Sequence, residues 1–379
     1  MAVMSADVVV LGGGVVGMAC AWRVAQRGAQ VVLVDPAPGS GASAAAAGML
    51  APATELHHGE LALLRLSLHA AAAFPRYVAD VTAASGTDVG YRASGTLAVA
   101  LEADDRARLA DVRALQQRLG LDVQALTGRE CRTLEPLLDP AVSGGTLAGG
   151  DHQVDPRRLL SALHGAARRA GVHVVAARGE IHRRDGRAVG VRLGGGQLLR
   201  AGRVVLAVGA GARPAAPVRP VKGQILRLRM PAAAHVLSRV VRGLVRDREV
   251  YLLPRCDGEL VVGATSEDVG FNEKVTASGV YELLRDAQAL VPAVGELEVA
   301  EVMARCRPGS PDNLPIVGAS EVPGLVLATG HSRNGVLLSG VTADAVADLV
   351  TGGALPAQLR ACTPDRFGPP AAAREEVGA

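Results

Sequence analysis

Apolar positions along this chain fall into two kinds of run. Residues 8–11 (VVVL) and 31–34 (VVLV) are short, wholly apolar and rich in β-branched side chains, the pattern of strands buried on both faces of a parallel sheet. Between them residues 18–28 carry a helical pattern that Gly28 closes. Residues 172–176, 204–207 and 325–329 predict further buried strands, and the last leads through a glycine-rich turn into a helix that runs to about residue 350. Longer patterns predict helices at 57–84, with Leu61, Leu64, Leu68 and Ala72 at three- and four-residue spacing, at 104–119 and near 277–291. Another covers 156–171 behind Asp155 as N-cap, and Thr127 and Glu130 form a capping box for one that reaches residue 134. Residues 180–184, 188–193 and 197–199, parted by Asp185-Gly186 and three glycines, predict a meander. Strand patterns at 91–101, 223–229, 250–253, 259–264 and 298–305 predict an antiparallel second domain, whereas a strand at 144–149 is expected to return the chain to the first. Residues beyond Gly352 are rich in Pro, Ala, Arg and Glu and predict a loosely attached tail. The class is α/β, or α+β overall.

The first strand ends in Gly12, Gly13 and Gly14, and Gly12, Gly14 and Gly17 complete G-x-G-x-x-G. That spacing lets the chain turn sharply, lets backbone approach a pyrophosphate and lets the new helix lie close to the sheet, with phosphates at its N-terminus. Asp35 closes the second strand, where a carboxylate accepts from a free ribose 2′-OH and repels a 2′-phosphate. FAD and NAD both satisfy this unit; NADP does not. The following segment, Pro36 to Ser43, is rich in turn residues, and Ser40 and Ser43 are candidate phosphate donors or parts of a plain connector.

Composition narrows the class. The chain has 379 residues, 49% of them hydrophobic, which is enough for two or three domain-sized cores. A formal charge of +3 is spread along the chain, and arginine pairs such as Arg157-Arg158 lack interleaved aromatics, so nucleic-acid binding is not expected. Five widely spaced cysteines without a C-x-x-C pair predict reduced thiols in a cytoplasmic enzyme. No signal sequence or membrane-length apolar run is present, and His57, His58 and His69 lack ligand-spaced partners, so neither membrane insertion nor a metal site is expected.

Taken in order, the N-terminal unit, GASAAAAGML at 41–50, YLLPR at 251–255, RPGSPDNLPIVG at 307–318 and GHSRNGVLL at 330–338 resemble the D-amino-acid oxidase superfamily. The likeness is greatest to glycine oxidases of the thiamine-biosynthesis type and covers roughly residues 7–350. It implies a discontinuous, Rossmann-like FAD-binding domain (1–86, 145–216 and 305–353), an antiparallel-sheet substrate domain (87–144 and 217–304) and a tail (354–379). It also implies that Val15, Val16, Asp35 and Pro36 contact the adenosine and diphosphate side, beside Gly12, Gly14 and Gly17, and that Ala42 and Ser43 contact the diphosphate. Ala47, Gly48 and Met49 then face the flavin, and Gly330, His331, Ser332, Arg333, Asn334, Gly335, Val336 and Leu337 bring backbone N–H groups to its pyrimidine edge. Arg307 and Arg333 are the implied carboxylate anchors, with Tyr251 adding a phenolic hydrogen bond. The implied chemistry is oxidation of glycine or another small amino acid by hydride transfer, giving an imine and, with oxygen, hydrogen peroxide. A D-amino-acid or sarcosine oxidase, a dehydrogenase and a non-catalytic flavin-binding scaffold are the alternatives, and a homo-oligomer is implied. Cys306 lies near where related sarcosine oxidases link cysteine to flavin, but the spacing departs from that pattern and predicts a buried free thiol.

Overall fold

The structure, a computed structural model, describes residues 4–212, 215–230, 237–245 and 248–368. The chain forms two compact units: Met1–Ser40, Leu163–Arg219 and Arg307–Ala379 make the first, Gly41–Ala162 and Pro220–Cys306 the second.

The first unit is built on a mixed sheet in the order Ile316–Ala319, Leu325–Thr329, Leu198–Leu206, Met4–Leu11, Val31–Val34, His173–Val175. From Leu325–Thr329 to His173–Val175 every neighbouring pair is parallel, and Ile316–Ala319 closes one edge antiparallel. The central runs are apolar because both faces are covered: Val9, Val10 and Leu33 have no exposed surface. Helices Val15–Gln26 and Ser339–Val350 pack against each other, and Arg27 pairs with Asp348 at 2.6 Å. Parallel pairing puts the carboxyl ends of these strands along one edge, where ligands of open α/β sheets bind. The expected third meander strand and the expected buried strand at 204–207 are one strand, Leu198–Leu206. The polar break at Gly202-Arg203 looks like a turn in sequence, yet pairing with Met4–Leu11 runs straight through it. Residues 354–368 correct the expectation of a loose tail. They form two short 3₁₀ turns that bury Leu359 and Cys362, and Arg366 grips Asp312 through Nε at 2.8 Å and Nη2 at 3.0 Å. The remainder of that tail, 369–379, lies outside the described residues.

The second unit carries a sheet in the order Glu298–Gly309, Arg219–Arg229, Glu259–Gly263, Arg248–Pro254, Val240–Val245, Thr96–Ala100, Gly144–Ala148, Val123–Thr127; the last three residues of the first strand belong to the other unit. Val240–Val245 and Thr96–Ala100 are paired parallel, whereas the other described pairings are antiparallel. Alternation sorts its apolar residues into two cores: Leu226, Leu228, Leu252 and Val262 pack with helix Ala277–Leu290, while Ile225, Leu253 and Val261 pack with Ala47. Gly144–Ala148 does not return the chain to the first unit; it pairs with Thr96–Ala100 and Val123–Thr127. Gly145 is required there, since a Cβ on it would lie 2.7 Å from Cys131 Sγ and 2.8 Å from Ala98 O. Residues 41–86 and 145–162, expected in the nucleotide-binding domain, also cluster with this unit, and they include helix Leu61–Ser85.

Candidate active site

At the carboxyl edge of the first unit the glycine motif takes the shape its spacing predicts. Gly12 has φ +103°, and a Cβ there would lie 2.4 Å from Ala207 O on the neighbouring strand end. A Cβ on Gly17 would lie 2.0 Å from Gly12 O, so only glycine allows this helix to start so close to the turn. Helix Val15–Gln26 begins at Gly14 with no side-chain cap and no acid in its first turn. Val16 lies in the first turn, at the positive end of the helix dipole, and no carbonyl accepts from its N–H among the described residues. Asp35 accepts from Gly13 N–H at 2.7 Å and from Ala37 N–H at 2.7 Å, which fixes the carboxylate beside the turn and shapes the bend at Pro36. This cradle fits the adenosine-diphosphate end of a dinucleotide.

The strand Leu325–Thr329 ends on the same edge and runs into residues 330–338. Gly330 has φ +72°, and Ser332, at φ +48°, is one of few non-glycine residues held in the left-handed region. The segment is a 3₁₀ turn, Ser332–Asn334, followed by an open turn; the helix starts only at Ser339, later than the sequence implied. Among the described residues no carbonyl accepts from the N–H groups of Gly335, Val336 and Leu337. Three adjacent amide donors without protein partners suit an oxygen-rich, electron-accepting ring edge. His331 turns inward: it is buried, its Nε2 lies 3.0 Å from Thr342 Oγ1, and burial lowers its pKa to about 4, so its ring belongs to the core as a neutral group. Asn334 is likewise buried.

An antiparallel bridge joins Gly309 to His331. Arg307 and Arg333 each lie two residues from this isolated bridge, Arg333 within the 3₁₀ turn, and both are half-buried. Cys306, just before Arg307, is buried; its N–H donates to Glu273 Oε1 at 2.9 Å and its thiol points to Gly270 O at 3.6 Å. The other cysteines are also free thiols, and desolvation raises the pKa of Cys131 and Cys362 to about 11. Among the described residues no group of three His, Cys, Asp or Glu is placed to hold a metal ion, and no helix is long and apolar enough to cross a membrane.

The second unit holds the other implied groups. Ala42 and Ser43 open a short helix, Ala42–Ala45, and Ala47, Gly48 and Met49 follow in extended chain. Gly48 has φ +81°, and a Cβ there would lie 2.1 Å from Val154 O. Tyr251 lies between Arg242 and Gly263 in register. A Cβ on Gly263 would lie 2.3 Å from the phenolic oxygen, so that glycine makes the room in which the ring lies. Nothing local marks Gly263 in the sequence, because its role is set by a cross-strand neighbour. The same is true of Arg242, which pairs with Glu55 at 3.3 Å and with Glu249 at 2.9 Å. Nearby, Asp151 accepts from Ala53 N–H (3.0 Å), Thr54 N–H (2.8 Å) and Thr54 Oγ1 (2.7 Å), while burial lifts its pKa to about 6.

Comparison with known proteins gives these features a context. A family model described as FAD dependent oxidoreductase (DAO) matches residues 7–349. The bifunctional protein ThiO/ThiG of a Nostoc species is 36% identical over 353 residues, covering 92% of this chain and 53% of that protein. The chain thus spans about half the length of the ThiO/ThiG relatives it matches. The glycine oxidase of Geobacillus kaustophilus is 34% identical over 354 residues, covering 91% of this chain and 92% of the relative. The crystal structure of glycine oxidase from that organism superposes with a TM-score of 0.87 at 33% identity, covering 96% of this chain and 99% of the other.

Proposed function

The chain belongs to the DAO family of FAD-dependent oxidoreductases, and from that premise we propose that it oxidises glycine, or another small amino acid, at the α-carbon. The observation that carries the proposal is the Gly309–His331 bridge, which joins the segment that carries Arg307 to the turn that carries Arg333 and the unpartnered amides of Gly335 to Leu337. An amino acid brings one obligatory anion, its carboxylate, and a planar guanidinium fork grips such a group with two parallel bonds. In this proposal Arg307 and Arg333 hold the carboxylate and the Tyr251 hydroxyl donates to it.

FAD, when bound, supplies the hydride acceptor for the substrate α-carbon and returns the electrons to oxygen as peroxide. The chain's own residues bind and orient. Gly12, Gly14, Val15, Val16, Gly17, Asp35, Pro36, Ala42 and Ser43 are assigned to its dinucleotide side, and Ala47, Gly48 and Met49 to the ring. The amides of Gly335, Val336 and Leu337 offer fixed donors to negative charge on the pyrimidine edge, so no reorganisation is needed as that charge grows. Residues 330–334 shape that turn; His331 does so from the core, through Thr342. Positioning the α-carbon by its carboxylate accounts for rate without a side-chain base. We assign the product to thiazole synthesis in thiamine biosynthesis, on the likeness to ThiO/ThiG, and the enzyme to the cytoplasm, on its free thiols. Steady-state peroxide release with glycine, sarcosine and D-alanine tests the proposal: turnover is expected with glycine, and flavin that no amino acid reduces would leave a non-catalytic flavoprotein.

A further inference from the structure

Three arginines from three elements of the second unit converge on the carbonyl edge of residues 44–48. Arg157 Nε, on helix Pro156–Arg169, donates to Ala44 O at 3.3 Å, and Arg227 Nη2, on strand Arg219–Arg229, donates to the same oxygen at 3.4 Å. Arg255, one residue past strand Arg248–Pro254, donates through Nη2 to Ala47 O and through Nη1 to Val154 O at 2.9 Å and Gln153 Oε1 at 3.4 Å. Gly48 O accepts from Val154 N–H at 2.9 Å. The carbonyls of Ala44, Ala47 and Gly48 are thus all engaged by protein, whereas among the described residues no carbonyl accepts from the N–H groups of Ala47 and Gly48.

The charges are unequal. Arg227 is 2% exposed and pairs with Glu259 and, at 3.5 Å, with Glu301; Arg157 holds Glu301 through two contacts at 2.8 and 3.1 Å. Arg255 is 4% exposed, and among the described residues no carboxylate lies within ion-pair distance of it. Its direct partners are two carbonyls and an amide. A buried guanidinium with no contacting counter-ion is costly: desolvation pulls its pKa down, and Asp155, Glu259 and Asp257 offset this only in part. Packing alone would be served better by an apolar side chain, so the retained charge asks for a use.

We propose that Arg255, assisted by Arg157 and Arg227, is a positioning residue for the cofactor: it holds residues 44–48 by their carbonyls so that the Ala47 and Gly48 amides face the flavin, and its charge, only partly compensated, makes the bound flavin easier to reduce. This rests on the assignment of Ala47 and Gly48 to the flavin ring under the proposed function. Arg255 touches backbone, not substrate, so its effects separate into geometry and charge.

Two variants of the holoenzyme divide those effects. Arg255→Lys keeps the charge and loses the fork that joins two carbonyls; its FAD dissociation constant is expected to rise about tenfold, with a flavin reduction equilibrium within twofold of the parent. Arg255→Met loses both; the same weakening of FAD is expected, together with a roughly tenfold shift of the reduction equilibrium towards oxidised flavin, about 30 mV for a two-electron couple. Parent-like FAD affinity in both variants overturns the positioning role, and an unshifted equilibrium in Arg255→Met overturns the charge role. If neither variant folds, Arg157→Gln at a partly exposed site is the substitute. Its apoprotein should exchange the amides of residues 44–49 severalfold faster than the parent and bind FAD about threefold more weakly, and unchanged exchange overturns the proposal. A parent protein that binds no FAD refutes the proposed function instead, whereas FAD-binding parent with unaltered variants refutes only this inference.

Discussion

Replacing Asp35 by Ala separates the nucleotide cradle from the substrate groups more cleanly than any other single change. Its carboxylate accepts from Gly13 N–H and Ala37 N–H, each at 2.7 Å, and is half-buried at the carboxyl end of strand Val31–Val34. A hydrogen bond to a charged acceptor contributes about 1.5–3 kcal/mol. Losing the ribose contact alone therefore raises the FAD dissociation constant by about ten- to 150-fold. Losing the two backbone bonds also loosens the turn at Gly12 to Gly14; partial exposure keeps that contribution to roughly 1 kcal/mol of stability. Asp35→Asn retains one acceptor oxygen and should fall between. The assay is titration of stripped apoprotein with FAD, followed by the KM for glycine at saturating FAD. The KM should change by less than twofold. An Asp35→Ala protein that binds FAD as the parent does, or that loses only substrate affinity, would show that the carboxylate is not at the nucleotide.

Arg307→Ala should lower kcat/KM for glycine by about a hundredfold or more, since a charge-assisted two-point contact is lost, while FAD content stays at the parental level; coincident loss of flavin would contradict its assignment to substrate. Gly263→Ala pushes a methyl group towards the Tyr251 hydroxyl, 2.3 Å from the ideal Cβ, and should raise the KM several-fold with FAD affinity retained. Burial holds the folded pKa of His331 at about 4, below the unfolded value near 6.5, so its contribution to stability is lost as pH falls from about 6.5 to 4. Burial raises Asp151 from 3.8 to about 6, so its contribution is lost as pH rises through that window. Each amounts to about 3 kcal/mol, and they offset one another. By denaturant unfolding, Asp151→Asn should gain stability more steeply than the parent as pH rises from 4 to 6, and an unchanged pH slope in that variant would contradict the raised pKa of Asp151.

The nucleotide-binding half was legible because its signals are local. A β-branched run, three glycines at fixed spacing and an acid at the next strand end all fall within thirty residues of sequence, and the structure returns them as strand, tight turn, helix and carboxylate. The second unit was less legible for the opposite reason. Val123–Thr127 (VQALT) buries little beyond Val123 and breaks strand alternation at Ala125-Leu126, and the strand expected at 144–149 could not be placed until its partners Thr96–Ala100 and Val123–Thr127 were known. Tail residues 354–368 looked disordered by composition, yet the bond from Arg366 to Asp312 and the burial of Leu359 dock them. The proposed substrate groups Tyr251, Arg307 and Arg333 came from resemblance, since a lone arginine in a turn has no local signature. Gly263 and Arg255 were missed because what makes each one matter lies across a sheet, at Tyr251 and at Ala47.

The central claim is that this chain passes electrons from a small amino acid to FAD. Mixing FAD-loaded protein with glycine in the absence of oxygen tests it directly. The account predicts that the flavin absorbance bleaches with saturable dependence on glycine, and that admitting oxygen restores the colour with one peroxide per flavin. A flavin that stays yellow with glycine, sarcosine and D-alanine alike would contradict it.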